Sequence, residues 1–346
     1  MKKLPLGSSD LLVSNLALGT MTFGRQVDQR NANRLLDVSY GAGINFIDTA
    51  EIYPSPASKE TYGVSEKMLG RWLQTSGLRQ KMVIATKICG PGQFVAWVRK
   101  GSSKFDSINI VTAVNDSLRR LSPEYIDLLQ LHLPDRATNF FGKRGFTPAK
   151  KELDFNIVTT LRALTDLVQQ GKIRHIGLCN ETPWGLMSFL HNASIHGLEK
   201  VVSIQSPYNL LNRQIEIGLT EVAWRENVGI MAYAPLANGL LTGKYHSEMP
   251  QENFRINRFA HYRRLRSASI MEITAKYLEI FKDFAINPTI GALNWVASQA
   301  GVSSVIIGVS DEKQLVENLK SPEKRLPKEL RKSLERLHKE CPDPCL

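Results

Sequence analysis

Nothing in the chain approaches the ~18 consecutive apolar residues that a membrane-spanning helix requires. Behind Met1, Lys2 and Lys3 there is no apolar h-region, so no secretory leader is expected. Cysteine is scarce, at four residues in 346. Cys89 and Cys179 sit in apolar, strand-like runs, while Cys341 and Cys345 lie near the end. That spread is unlike the frameworks of small disulfide-rich domains, and a reducing cytoplasm is the expected compartment. The segment from Cys341 to Cys345 resembles half a metal site without companion ligands. It predicts no metal and a disordered tail. Also missing is the G-x-G-x-x-G fingerprint of a dinucleotide-binding open sheet. Gly19-Thr20-Met21-Thr22-Phe23-Gly24 lacks its second glycine, and Gly90-Pro91-Gly92 opens a long loop instead.

Charge of one sign is in modest excess. Forty-four lysines and arginines face 33 acidic residues, a formal net charge of +11. The excess is spread along the chain and is densest between Arg255 and Arg266. Basic charge without a nucleic-acid motif reads as solvated surface, so no nucleic-acid partner is expected. An anionic small ligand such as a dinucleotide is the next explanation of that run.

What is present is a rhythm. Hydrophobic residues make up 42% of the chain, and short apolar runs rich in β-branched residues recur eight times. They are Leu16–Leu18, Ile44–Ile47, Met82–Ala85, Tyr125–Leu131, Ile173–Leu178, Val201–Ile204, Ile230–Tyr233 and Val305–Ile307. Near-continuous apolar runs indicate strands buried on both faces, as in parallel sheets. Between them lie helical stripes: Val111, Val114, Leu118 and Leu121; then Ile157, Leu161, Leu164 and Val168, closed by Gly171. Thr182-Pro183 reads as an N-cap with proline at the first helical position, ahead of Leu186, Phe189, Leu190 and Ala193. Eight strands alternating with helices fit a closed barrel or a doubly wound sheet. The missing fingerprint favours the closed (β/α)8 TIM barrel, in one domain over 1–346 with a C-terminal helix and tail from 321. A short β-hairpin, Lys3–Leu6 with Leu11–Ser14, precedes it. Long βα-loops, Cys89 to Asp106 and Asp135 to Phe155, are expected to shape a substrate mouth, with Trp97, Phe140 and Phe141 lining it or pinning the loops.

Asp48 ends the second strand, Lys87 the third and His132 the fourth. In a parallel barrel those ends are neighbours, so an acid, a lysine and a histidine converge on one rim. Tyr53 follows five residues after Asp48. Each residue alone has an ordinary structural role, as cap, rim charge or core hydrogen-bonder; three on successive strand ends predict a site. Reducing a carbonyl creates an oxyanion that needs a proton. Tyrosine is a weak acid, with an ordinary pKa of about 10. A cationic lysine beside the phenol is expected to lower that value, an aspartate to hold the lysine, and the histidine to orient the carbonyl oxygen.

Ile47-Asp48-Thr49-Ala50-Glu51-Ile52-Tyr53 resembles the D-T-A-x-x-Y signature of the aldo-keto reductases. Tyr62-Gly63-Val64-Ser65-Glu66 with Leu69-Gly70, Ala85-Thr86-Lys87, Asp127 to His132 and Gly171 to Gly177 follow in the family's order. The likeness runs from about Leu16 to Leu319, nearest the bacterial Tas-like branch. It implies Tyr53 as general acid, tuned by Lys87 and Asp48, with His132 positioning a small carbonyl substrate. It implies NADPH extended across the barrel mouth. Gly19, Thr20, Met21 and Asp48 fall in that footprint; Asn180 and Gln205 would hold the carboxamide, with Tyr233 on the ring. Ala234, Pro235, Leu236, Gly239, Leu241 and Lys244 would wrap the pyrophosphate, their glycines admitting close backbone approach. Arg258 is expected at the 2′-phosphate, and Gly308, Ser310, Gln314, Glu317 and Asn318 at the adenosine. Where the family usually has serine stands Cys179, whose thiol is a weaker donor than a hydroxyl and is expected to lower cofactor affinity. The resemblance also admits a second role. Potassium-channel β subunits are relatives that act as cofactor-bound regulatory partners, so a redox sensor with slow turnover is the alternative. Neither the carbonyl substrate nor the oligomeric state is readable.

Overall fold

The computed structural model describes residues 1–91, 95–101, 103–122, 124–139, 145–148, 155–247, 252, 254–321 and 325–345. Strands β1 (Lys3–Pro5) and β2 (Leu12–Ser14) form the antiparallel hairpin. Eight parallel strands then close on themselves: β3 (Leu16–Gly19), β4 (Phe46–Asp48), β5 (Val83–Ile88), β6 (Ile126–Leu131), β7 (Ile173–Cys179), β8 (Val201–Pro207), β9 (Gly229–Tyr233) and β10 (Val302–Gly308). They pair in chain order, and β10 returns to β3. All eight expected apolar runs are barrel strands, so the fold is the (β/α)8 barrel. The boundaries moved most at β5 and β8, which each run three residues further, and at β10, which starts three residues earlier.

Helices α1 (Gln29–Gly41), α2 (Val64–Ser76), α3 (Ser107–Leu121), α4 (Ile157–Gln169), α5 (Pro183–His196) and α6 (Leu219–Arg225) follow β3 to β8 in turn. Their starts are written locally. Asp28, Asp106, Asn156 and Thr182 each accept a hydrogen bond from a first-turn amide, satisfying a donor that the helix itself leaves unpaired. After β9 come α7 (Arg255–Arg258), α8 (Ala268–Asp283) and α9 (Pro288–Ala297); after β10, α10 (Glu312–Asn318) and α11 (Lys328–Glu340).

Side chains alternate across each strand, and that alternation decides what the barrel encloses. Leu16 and Leu18, Ile47, Ile84, Ile88, Leu129 and Leu131 face the helix layer in the main core. Ala17, Phe46, Val83, Ala85, Leu128 and Met231 face inward in a second cluster, closed from below by Leu6, Leu11 and Val13 of the hairpin region. The inner parity therefore continues upward from Phe46 to Asp48, from Val83 and Ala85 to Lys87, and from Leu128 to Gln130. Polar side chains at those three positions cap an apolar interior.

One expectation is corrected. Residues 341–345 pack onto the barrel instead of forming a disordered tail. The Cys345 amide donates to the Leu211 carbonyl at 2.9 Å, and the Arg213 amide donates to Asp343 Oδ1 at 2.5 Å. The Arg213 guanidinium binds both Glu216 and Glu335 of α11. A buried arginine needs paired carboxylates, and this one ties the C-terminal segment to the loop after β8.

Candidate active site

Register sets the site. Asp48 sits opposite Ala85, and Lys87 opposite Gln130, so their inward side chains meet above the apolar plug. Lys87 is wholly buried, and its ammonium has three donors. They go to Asp48 Oδ2 at 2.5 Å, the Thr49 carbonyl at 2.9 Å and the Tyr53 phenol oxygen at 3.4 Å. Asp48 Oδ1 accepts from Gln130 Nε2 at 3.1 Å and Gln205 Nε2 at 2.9 Å. The pair thus has its hydrogen-bonding capacity met, which a buried ion pair requires. Burial works against the Lys87 charge, but Asp48, with Tyr53 and Cys179, raises its pKa above the ordinary value.

The Tyr53 phenol is pushed up to about 12 by burial, with Lys87 pulling in the opposite direction. That corrects the expectation of a net lowering: desolvation outweighs the ammonium here. Because Lys87 can only donate, the phenolic hydrogen is not shared with it and is free to point away. His132 follows β6, its ring edge-on to Tyr53 at a centroid distance of 5.9 Å. Burial, then Lys87, drives its pKa well below the ordinary value, so the ring is neutral. Its Nδ1 is buried with no protein partner among the described residues.

These residues open into a cleft of about 1330 Å³ at the C-terminal strand ends. Single small-ligand pockets run to about 1,000 Å³, so the cleft has room for two reactants. Asp48, Tyr53, His132, Asn180, Gln205 and Tyr233 line it. Asn180 Oδ1 accepts from the Tyr233 hydroxyl at 2.7 Å, and its amide nitrogen donates to the His132 carbonyl at 2.9 Å. Gln205 gives both amide hydrogens to Asp48 and Gln130. Among the described residues its Oε1 has only the Cys179 thiol, at 3.8 Å. Both amide oxygens therefore keep acceptor capacity toward the cleft. Burial raises the Cys179 thiol to about 12, leaving it unionised.

Further along, Gly19, Met21, Ala234, Pro235, Leu236, Gly239, Lys244, Gly308, Ser310, Gln314, Glu317 and Asn318 all line the cleft. At Gly239 φ is +95°, a backbone conformation that favours glycine. Lys244 and Arg255 stand together: burial and then Arg255 lower the lysine's pKa, and no carboxylate among the described residues bonds its ammonium. An anion would relieve both.

Three expected contacts are not cleft-lining. Thr20 and Leu241 are fully buried; the Thr20 hydroxyl accepts from Ser65 behind the cleft. Arg258 is exposed, its guanidinium 5.5 Å from the Phe259 ring centre. Arg255, one helical turn earlier in the same basic run, lines the cleft with Arg264. Which arginine of this run lines the cleft is a detail the charge run does not encode. Trp97 packs edge-on against Tyr62 and pins its loop, while Phe140 and Phe141 lie outside the described residues. Sequence reading passed over Gln130. Its signal was a lone amide inside Leu128-Leu129-Gln130-Leu131, on the inward parity.

Comparison with known proteins agrees with this architecture. The model of the aldo/keto reductase family matches residues 15–339. Protein tas of Escherichia coli (strain K12) is 39% identical over 330 residues, covering 95% of each chain, and Protein tas of Shigella flexneri aligns equally well. An aldo-keto reductase of Babesia bovis is 41% identical over 252 residues, 69% of this chain and 88% of the relative. The match over most of the chain places this barrel in the class of oxidoreductases that act on carbonyls. The chain belongs to the aldo/keto reductase family, near the Tas-like branch.

Removing the buried cation tests the electrostatic core of the site. Lys87→Met strands Asp48 without its partner and is expected to cost about 3–5 kcal/mol. Chemical denaturation at neutral pH reads this; a variant as stable as the wild type contradicts a charged pair.

Proposed function

We propose that the protein reduces an aldehyde or ketone to the alcohol using NADPH, with Tyr53 as the proton donor. The observation that carries this reading is the Lys87 contact to the phenol, inside an ion pair and at the edge of a two-reactant cleft. The dinucleotide, when bound, supplies the hydride. The residues fit it: the oxygens of Asn180 and Gln205 offer the two acceptors a carboxamide NH2 needs, and Tyr233 is the aromatic wall beside them. Gly239 with Lys244 suits a pyrophosphate. Arg255, in place of Arg258, is the candidate for the 2′-phosphate, a group absent from NADH.

The protein's own chemistry concerns the proton. A phenol with a pKa near 12 is fully protonated at neutral pH, so the acid is loaded. It gives up that proton only as charge develops on the substrate oxygen, when phenolate beside the Lys87 ammonium becomes favourable. Neutral His132 offers a ring nitrogen to the same oxygen. The apolar barrel beneath excludes water, so these interactions act at low dielectric.

Tyr53→Phe removes the proton and little else. NADPH binding should persist, while carbonyl reduction falls by about 10² to 10⁴. Steady-state turnover with an aldehyde panel measures it, and substantial residual activity rules Tyr53 out as the acid. Tight NADPH binding by the wild type without substrate-dependent loss would instead mark the cofactor-bound regulatory role. Arg255→Ala should weaken NADPH by roughly tenfold or more while leaving NADH nearly unchanged, since the lost contact is charge-assisted. Fluorescence titration with both dinucleotides decides; equal losses refute the assignment.

A further inference from the structure

Glu51 lies two residues before Tyr53, and its carboxylate is completely buried. Four donor contacts reach it. The Cys89 amide donates to Oε1 at 2.5 Å and the Tyr62 hydroxyl to Oε2 at 2.7 Å. Arg99 Nη1 lies between both oxygens, at 2.9 and 2.8 Å. The backbone repeats the link, with the Glu51 amide donating to the Lys87 carbonyl at 3.0 Å. Glu51 therefore fastens the loop that carries Tyr53 to the strand end that carries Lys87.

Arg99 comes from elsewhere, the long connection between β5 and α3. Its second nitrogen donates to the Cys89 carbonyl at 2.8 Å, and its side chain is only 8% exposed. Around it Val95 and Val98 pack with Ala50, Ile52 and Cys89 in a small cluster separate from both barrel cores, with Tyr53, Tyr62 and Trp97 against it. The connection is thus built into the Tyr53 loop. Without Arg99, Glu51 would be a buried anion with no cation among the described residues bonded to it, in the same loop as Tyr53. Such an anion draws water inward or takes up a proton, and either outcome disturbs the clip.

We propose that Arg99 is a positioning residue for the reaction: by neutralising Glu51, it holds the Tyr53 loop against the Lys87 strand end at the separation the proton transfer needs. This rests on the reductase reading for its kinetic readout. The connection after β5 then does more than border a substrate mouth; it supplies a charge on which the acid's placement depends.

A double-variant cycle in the full-length protein separates this from a bland structural role. Arg99→Met should lower kcat about tenfold, because small misplacements of reacting groups carry large penalties. KM and NADPH affinity should stay within about twofold, since neither ground-state site is touched. Glu51→Gln added to Arg99→Met keeps the acceptor for the Cys89 amide and removes the stranded charge, so kcat should return to within about threefold of wild type. A kcat unchanged by Arg99→Met overturns the proposal, and so does a double variant no better than Arg99→Met, which would mean that Arg99 merely folds its loop. If the wild type reduces no carbonyl, the reductase reading fails by itself. The clip is then read by amide hydrogen exchange at Cys89. Exchange should be slow in the wild type, faster in Arg99→Met and slow again in the double variant; an unchanged rate overturns it.

Discussion

The rest of the site depends on a charged pair held where charge is expensive. Lys87 and Asp48 meet at 2.5 Å above a plug of Ala17, Phe46, Val83, Ala85 and Leu128. Taking two ions out of water costs several kcal/mol each unless geometry and hydrogen bonding offset it. Here the offset is nearly complete: three acceptors for the ammonium, and two amide donors for the far oxygen of Asp48. One of those three acceptors is the phenol oxygen of Tyr53. Satisfying the lysine and placing the phenol are therefore one arrangement.

That arrangement explains why the polar residues come where they do. Asp48, Lys87 and Gln130 each occupy the inward parity at the top of a strand, above the apolar Phe46, Ala85 and Leu128. Gln130 and Gln205 carry no charge of their own, yet their amides reach across the barrel from β6 and β8 to orient the carboxylate on β4. Asn180 and Tyr233 extend the network along the cleft. The ring of contacts runs from β4 through β5, β6, β7 and β8 to β9, so the barrel's closure itself keeps the site in register.

Much of this could be read from the chain. The strands showed because parallel strands buried on both faces must be apolar, and Asp48, Lys87 and His132 showed because polar residues interrupt those runs at one end. Thr182-Pro183 declared a helix start through chemistry that is wholly local. What escaped was long-range or side-chain-dependent. No local pattern says that Arg99 reaches back to Glu51, that Cys345 lies on Leu211, or that Arg255 rather than Arg258 faces the cleft. The acidity of Tyr53 escaped for another reason: residue types give the sign of the lysine's effect, while burial, which prevails, depends on the folded surroundings.

The central claim is that hydride and proton are delivered to a carbonyl at the Tyr53–His132 edge of the cleft. The most direct measurement is isotope transfer. Wild-type protein is incubated with an aldehyde and NADPH deuterated at the transferable position, and the alcohol is analysed by mass spectrometry and NMR. The account predicts one deuterium on the carbinol carbon, matched mole for mole by oxidised cofactor. Cofactor bound tightly but unconsumed, or alcohol formed without deuterium, contradicts it.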